Sequence, residues 1–204
     1  MKSPAIKRLV DLVVSSLLLA MMVVPMAITA ALIRVRMGTP VIYASLRPGR
    51  NHQPFLMYKF RSMTDKRDES GELLPDADRI TRFGQFLRSS SLDEFPALVN
   101  VLRGEMSLVG PRPLRMEYLS RYSPHQARRH EVKPGITGLA QISGRNAMSW
   151  DERFDRDVWY VDHWSVVLDL SILWRTLLAV LRREGVSAPG HATMPEFLGN
   201  GEQN

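Results

Sequence analysis

Residues 12–33 read LVVSSLLLAMMVVPMAITAALI, a run of 22 residues without one charge. As a straight helix it would rise about 33 Å, enough to cross a hydrocarbon core of ~30 Å. Basic residues stand on both sides: Lys2, Lys7 and Arg8 before it, Arg34 and Arg36 after it. Three readings compete. A cleaved signal peptide would have a shorter apolar stretch of about 7–15 residues, and no clean A-x-A site closes this one, since Ile28 sits two residues before Ala30. A spanning helix would concentrate its basic flank on one side, yet here both ends carry the cytoplasmic signature. A re-entrant segment, which dips into the bilayer and returns to the same face, accommodates both flanks. Pro25 lies just past the middle. It removes the hydrogen bond to the Met21 carbonyl and clashes there, so a kink or break is expected. Prolines are also tolerated in spanning helices, so these residues leave spanning and re-entrant arrangements open. Asp11 follows Lys7 by four residues and Arg8 by three, which suits a helical ion pair at the interface.

Outward from this run, the 204 residues suit one domain plus an appendage. Apolar residues make up 45%, too many for a disordered chain. The absence of cysteine excludes a disulfide scaffold, an iron–sulfur cluster, a cysteine nucleophile and a thiolate zinc site. Five histidines without a metal-ligand spacing argue against a transition-metal site. A net charge of +6 and a pI near 10.0 point to a polyanionic partner: nucleic acid, anionic lipid or a phosphorylated substrate. Composition does not choose among the three.

Residues 41–44 and 55–60 read as two strands around a polar turn, Arg47-Pro-Gly-Arg-Asn-His-Gln53. Residues 64–78 form a charged surface loop. Helices are predicted over about 78–88, 92–102, 149–163 and 166–183. Residues 104–113 and 132–145, rich in Gly and Pro, are expected to be irregular. The expected division is a membrane segment over 1–36, a catalytic domain over 37–184 and an extended tail over 185–204, packed on or near that domain. All four tryptophans (Trp150, Trp159, Trp164, Trp174) fall within 25 residues. With the basic-ended last helix they suit a membrane interface; otherwise they fill a soluble core.

The chemistry centres on Arg88-Ser-Ser-Ser-Leu-Asp-Glu-Phe-Pro96. Pro96 belongs in the first turn of a helix, which puts Asp93 at or just before the helix start. There the dipole favours the ionised carboxylate, so a depressed pKa is expected for a nucleophile or metal ligand. A phosphate is also favoured there, beside Arg88. The competing reading is plain helix chemistry: Ser91 and Glu94 fit the capping box S-x-x-E. In Val109-Gly-Pro-Arg-Pro113 two prolines present Arg112 with little entropy to lose, apt for bidentate phosphate contact. Lys133-Pro-Gly-Ile-Thr-Gly138, with Gly144-Arg145 beyond, allows close backbone approach to a phosphate or nucleotide without matching a P-loop. Lys59 and Arg61 fall on one face of the second strand and would line an anionic pocket or a solvated face.

Together these pieces resemble the bacterial sugar transferases of the monotopic phosphoglycosyl transferase superfamily. The ordered set carries the resemblance: Lys7-Arg8-x-x-Asp11, Arg47-Pro-Gly49, Tyr58-Lys-Phe-Arg-Ser-Met63, Arg88-Ser-x-Ser-Leu-Asp-Glu94, Asn100-Val-Leu-x-Gly104, Met106-Ser-x-Val-Gly-Pro-Arg-Pro113 and Lys133-Pro-Gly-Ile-Thr-Gly-x-Ala-Gln141. It continues through Gly144-Arg-Asn146, Ser149-Trp150, Asp157 and Leu168-Asp169 to Gly185-Val-Ser187. The short length, with Gly190-His-Ala-Thr193 and Phe197, looks most like members that carry N,N′-diacetylbacillosamine 1-phosphate.

The resemblance implies an α+β fold: a re-entrant helix–break–helix, a small β-hairpin, and short or amphipathic helices lying at the membrane interface. It implies transfer of a sugar 1-phosphate from a UDP-sugar donor to undecaprenyl phosphate, releasing UMP, with Mg²⁺ and a ping-pong course. It involves no nucleic acid. Asp93 would be nucleophile and metal ligand, with Glu94 its partner. Lys59, Arg88 and Arg112 would hold phosphate; Gly135, Thr137, Gly138 and Arg145 would face the nucleotide; Asp157 would support them. The catalytic domain would lie on the cytoplasmic face of the bacterial inner membrane. One departure is visible: Val24, not the family's usual serine, precedes Pro25. A basic nucleic-acid module and a lipid-binding structural protein are the other classes, and both would tolerate Asp93→Asn.

Overall fold

The computed structural model describes residues 3–143, 148–182 and 196–199. Helix α1 (Pro4–Met37) runs for 34 residues. Ser3 caps its start by accepting from the Ile6 amide, and Pro4 occupies the first turn, where its missing N–H costs nothing. Gly38, at φ +78°, ends it. Pro25 lies inside this one helix, which is assigned as helical on both sides of it. A proline deletes a single ladder bond, while the Leu, Met and Ala around it propagate the helix on both sides.

β1 (Ile42–Pro48) and β2 (Pro54–Phe60) form the expected hairpin, antiparallel, with Ile42 opposite Phe60 and Arg47 opposite Phe55. Then come α2 (Asp76–Arg79), α3 (Arg82–Ser89), α4 (Leu98–Arg103), β3 (Ser107–Val109), α5 (Pro124–Ala127), β4 (Gly135–Thr137), α6 (Leu139–Ile142), α7 (Trp150–His163) and α8 (Val166–Arg182). Two expected helices differ. The one over 78–88 is divided at Ile80 and restarts at Thr81, whose hydroxyl accepts from the Gly84 amide. The one over 92–102 opens as a 3-10 turn, Leu92–Ala97, before α4. The Gly/Pro-rich stretches expected to be irregular contain β3 and β4, paired in parallel with Ser107 opposite Gly135 and Val109 opposite Thr137. Strands of three residues are too short to show a period in sequence.

The main core joins Phe55 and Met57 of β2 to Leu98 and Val101 of α4, Leu108 of β3, Tyr160 of α7 and Ile172 of α8. A second cluster gathers Leu114, Tyr118, Phe154 and Phe197 against Trp150.

Helix α1 docks on this domain from both sides of Pro25. Val14, Leu18 and Leu19 pack on the main core. Met26, Ala30 and Ile33 pack with Phe60 and Leu87. Between them Met21, Val23 and Val24 are 74%, 60% and 63% exposed. Its polar residues also turn inward. Lys7 Nζ donates to Asp169 Oδ2 (2.6 Å), the Val109 carbonyl (3.0 Å) and Tyr160 Oη (3.2 Å). Arg8 donates to the carbonyls of Val101 and Leu102 at the end of α4. Asp11 accepts from Ser107 Oγ and the Leu108 amide, so the helical ion pair expected of it is not made. The four tryptophans divide. Trp150 and Trp164 pack against the two cores, while Trp159 and Trp174 are exposed. Trp174 shares an exposed face of α8 with Val167, Leu170 and Leu177.

Candidate active site

The 3-10 turn carrying Asp93 and Glu94 begins at Ser91, which takes the left-handed conformation at φ 57°. That costs a β-carbon-bearing residue energy and persists only where its surroundings hold it. In this conformation Ser91 makes no side-chain cap bond, so the capping box predicted as the bland reading does not form. The Glu94 side chain instead leaves the turn. Its Oε1 accepts from Lys59 Nζ at 2.7 Å and from Arg112 Nη2 at 2.5 Å, and its Oε2 from Arg112 Nη1 at 3.4 Å. The hairpin supplies Lys59 and the loop after β3 supplies Arg112, so three remote segments meet at one carboxylate. The β-hairpin also packs on the turn itself, Phe55 and Met57 sharing the main core with Ala97.

Asp93 is 7% exposed, and no hydrogen bond holds its carboxylate among the described residues. Burial and the negative charge of Glu94 push its pKa up to about 6, against the pull of Lys59, Arg112 and Arg88. The depressed value expected from the helix dipole is therefore overturned: one short 3-10 turn is a weak dipole, and desolvation beside a second carboxylate is the larger effect. For Glu94, burial alone would raise the pKa, but Arg112 and Lys59 together hold it well below the usual carboxylate range. Burial lowers the Lys59 pKa more than its carboxylate partner restores it. Two adjacent carboxyls are thus driven apart, one neutralised and fixed, the other protonating near pH 6 and unclamped.

Arg88 closes the site from α3, its Nε donating to Ser62 Oγ at 3.0 Å and its charge acting on Asp93. Arg61 does not join. It lies just past β2, 8% exposed, and donates to the carbonyls of Met37 and Thr39 at the end of α1 and to that of Met63 two residues on.

The glycines expected to face a nucleotide are used between backbones. The Gly110 amide donates to the Thr137 carbonyl, and the Gly135 amide to that of Pro111. A β-carbon at Gly135 would lie 2.1 Å from the Gly110 nitrogen, and one at Gly138 2.2 Å from the Gly110 oxygen. Thr137 Oγ1 meets Thr176 Oγ1 on α8 at 2.7 Å. These residues seat the loop that presents Arg112. Arg145 lies outside the described residues. Asp157 is buried on α7 and meets none of the site's side chains directly; it pairs with Arg129 (Nη2–Oδ2 2.7 Å). Arg129 had no sequence signal beyond its place in Arg128-Arg129-His130.

No group of three or more His, Asp and Glu side chains gathers among the described residues. Mg²⁺ does not need one, since it commonly takes one or two carboxylates and completes its shell with water and substrate phosphates. An unclamped Asp93 with Lys59, Arg112 and Arg88 close enough to act on its charge fits that mode.

A model of the family described as bacterial sugar transferase matches residues 2–183. The chain is 53% identical to the uncharacterized sugar transferase EpsL of Bacillus subtilis, over 97% of this chain and 98% of that protein. It is 41% identical to the undecaprenyl-phosphate galactose phosphotransferase of Salmonella typhimurium, over 88% of this chain and 41% of that protein. It is 39% identical to the UDP-glucose:undecaprenyl-phosphate glucose-1-phosphate transferase of Klebsiella pneumoniae, over 84% of this chain and 39% of that protein. The chain thus spans nearly all of the Bacillus relative and about two fifths of the other two.

Proposed function

The chain belongs to the bacterial sugar transferase family, and from that premise we propose that it moves a sugar 1-phosphate from a UDP-sugar to undecaprenyl phosphate, releasing UMP. The observation that carries this reading is the division of labour between Asp93 and Glu94. A displacement at phosphorus needs a nucleophile that is ionised near neutral pH yet not consumed by cations, and Asp93 meets both conditions.

In the first step an Asp93 oxygen bonds to the β-phosphorus. The bond to the bridging oxygen breaks, and UMP leaves with that oxygen and its electron pair. In the second step an oxygen of undecaprenyl phosphate attacks the same phosphorus and Asp93 regains its carboxylate. Lys59 and Arg112, neutralised on one side by Glu94, can turn remaining donor capacity toward the phosphates; Arg88 approaches from the other side. Mg²⁺ would be held by Asp93 together with donor phosphate oxygens, and would offset the charge that repels a carboxylate from a diphosphate.

For the sugar, the names of the Salmonella and Klebsiella relatives favour a UDP-hexose, galactose or glucose. The N,N′-diacetylbacillosamine expectation rests on whole-chain likeness, on Phe197 and on residues 190–193, the last of which lie outside the described residues. The reading includes attachment to the cytoplasmic face of the membrane by a monotopic, re-entrant segment. What supports it is that the domain grips α1 on both sides of Pro25, leaving exposed the apolar residues between. A straight crossing would carry the domain's polar surface into lipid.

UMP release is measured with full-length protein, undecaprenyl phosphate and Mg²⁺ across UDP-galactose, UDP-glucose and UDP-N,N′-diacetylbacillosamine. Release with a UDP-hexose, and none for Asp93→Asn, is expected. A fully active Asp93→Asn would sink the mechanism.

A further inference from the structure

Arg129 is 2% exposed, yet it is a full cation with five donors, and the transfer reaction as derived makes no use of it. A buried guanidinium is costly unless its donors are met. Its Nε and Nη2 both donate to Asp157 Oδ2, at 3.0 and 2.7 Å. Its Nη1 reaches Tyr122 Oη at 3.3 Å. The remaining contact is the informative one: Nη2 also donates to the Arg112 carbonyl at 2.8 Å. That carbonyl sits between Pro111 and Pro113, neither of which has an amide hydrogen to offer the surrounding structure. The Gly135 amide holds the Pro111 carbonyl one residue earlier. Arg129 therefore makes the adjoining tie that sets the peptide plane from which the Arg112 side chain departs.

We propose that Arg129, backed by Asp157, is a positioning residue for sugar-phosphate transfer, which fixes the backbone of Arg112 and so aims its two-nitrogen fork at Glu94. The role rests on the transfer reaction proposed above, but its structural half does not depend on that reaction. A guanidinium fork bonds well only when both nitrogens align with both oxygens, so a small rotation of the Arg112 backbone would break one arm. The same tie gives Asp157 a place in the arrangement although it touches nothing in the site: it supplies the charge that lets Arg129 stay buried.

The test uses full-length protein. Removing Arg129 alone would strand Asp157, so the pair is replaced together by apolar residues of similar volume, Arg129→Met with Asp157→Leu, an exchange that cores often accept. Arg129→Lys serves as a second variant. It keeps one charge for Asp157 but cannot hold that carboxylate and the Arg112 carbonyl with separate nitrogens. Amide hydrogen exchange should rise about tenfold in the peptide covering 107–116 and stay unchanged in α4 and α8. UMP release should fall about 10–100-fold in both variants, and by less than about threefold when the same changes are added to Arg112→Lys, because they act through Arg112. Unchanged exchange in 107–116, or losses that multiply with that of Arg112→Lys, would overturn the proposal. If the unsubstituted protein releases no UMP from any UDP-sugar, the transfer reading fails, and the exchange result still decides whether Arg129 positions Arg112.

Discussion

Asp93 and Glu94 are consecutive, but only Glu94 is bonded to Lys59 and Arg112; Asp93 stands beside them buried and unclamped. This asymmetry separates the two carboxyls in chemistry although the chain joins them. It makes Asp93 a destabilising residue once ionised. Its folded pKa of about 6 lies above the ordinary value of 3.8, so its contribution to the fold is present below that lower value and is lost as pH rises through about 6. Asp93→Asn should therefore abolish UMP release and also raise stability by roughly 1–3 kcal/mol near pH 8, with no gain near pH 3. Denaturant unfolding at the two pH values checks it; equal effects at both would contradict the electrostatic reading.

Glu94 has the opposite sign. Its folded pKa is depressed, so the stability it adds is present above its unfolded value of 4.5 and is lost as pH falls toward the folded one. Glu94→Gln leaves Lys59 and Arg112 facing each other without a counter-charge. A loss of about 2–4 kcal/mol is expected at neutral pH, shrinking in acid. The same unfolding series measures it, and a pH-independent loss would argue for a packing effect alone.

Membrane arrangement is checked by cysteine labelling, which a chain without native cysteine permits without background. Cysteines placed at positions 3 and 37, the ends of α1, should both react from the cytoplasmic side only. Labelling from opposite sides would refute the re-entrant proposal in favour of a crossing.

Lys7 offers a test of what the basic N-terminal residues do. Its ammonium is committed to Asp169, Tyr160 and the Val109 carbonyl rather than to lipid headgroups. Lys7→Met should destabilise the folded domain by about 3 kcal/mol, since it strands a mostly buried carboxylate. Thermal unfolding in detergent reads this directly. A variant that lost only vesicle affinity, with its unfolding unchanged, would return Lys7 to the headgroups.

Much of the architecture was legible because it is local. The uncharged run of 12–33, the hairpin around Arg47–Gln53, and helices α7 and α8 all declare themselves by composition, turn residues and 3.6-residue spacing. What failed locally failed for identifiable reasons. β3 and β4 are held by each other and by glycine-to-backbone contacts, which leave no periodic signature. Ser91 and Glu94 satisfy a capping pattern that the left-handed Ser91 makes unavailable. Arg61 shares a strand face with Lys59 by period, but the strand ends between them.

By itself the sequence determined the membrane-compatible helix, the order of elements and the presence of an Asp-Glu pair beside prolines and arginines. Which of the two carboxylates is neutralised was decided only by the tertiary structure. The cations that choose between them arrive from 35 residues before Glu94 and 18 after it, and Arg129 fixes one of them from 17 residues further on. Burial and Coulomb interactions depend on distances in space, which no spacing along the chain encodes.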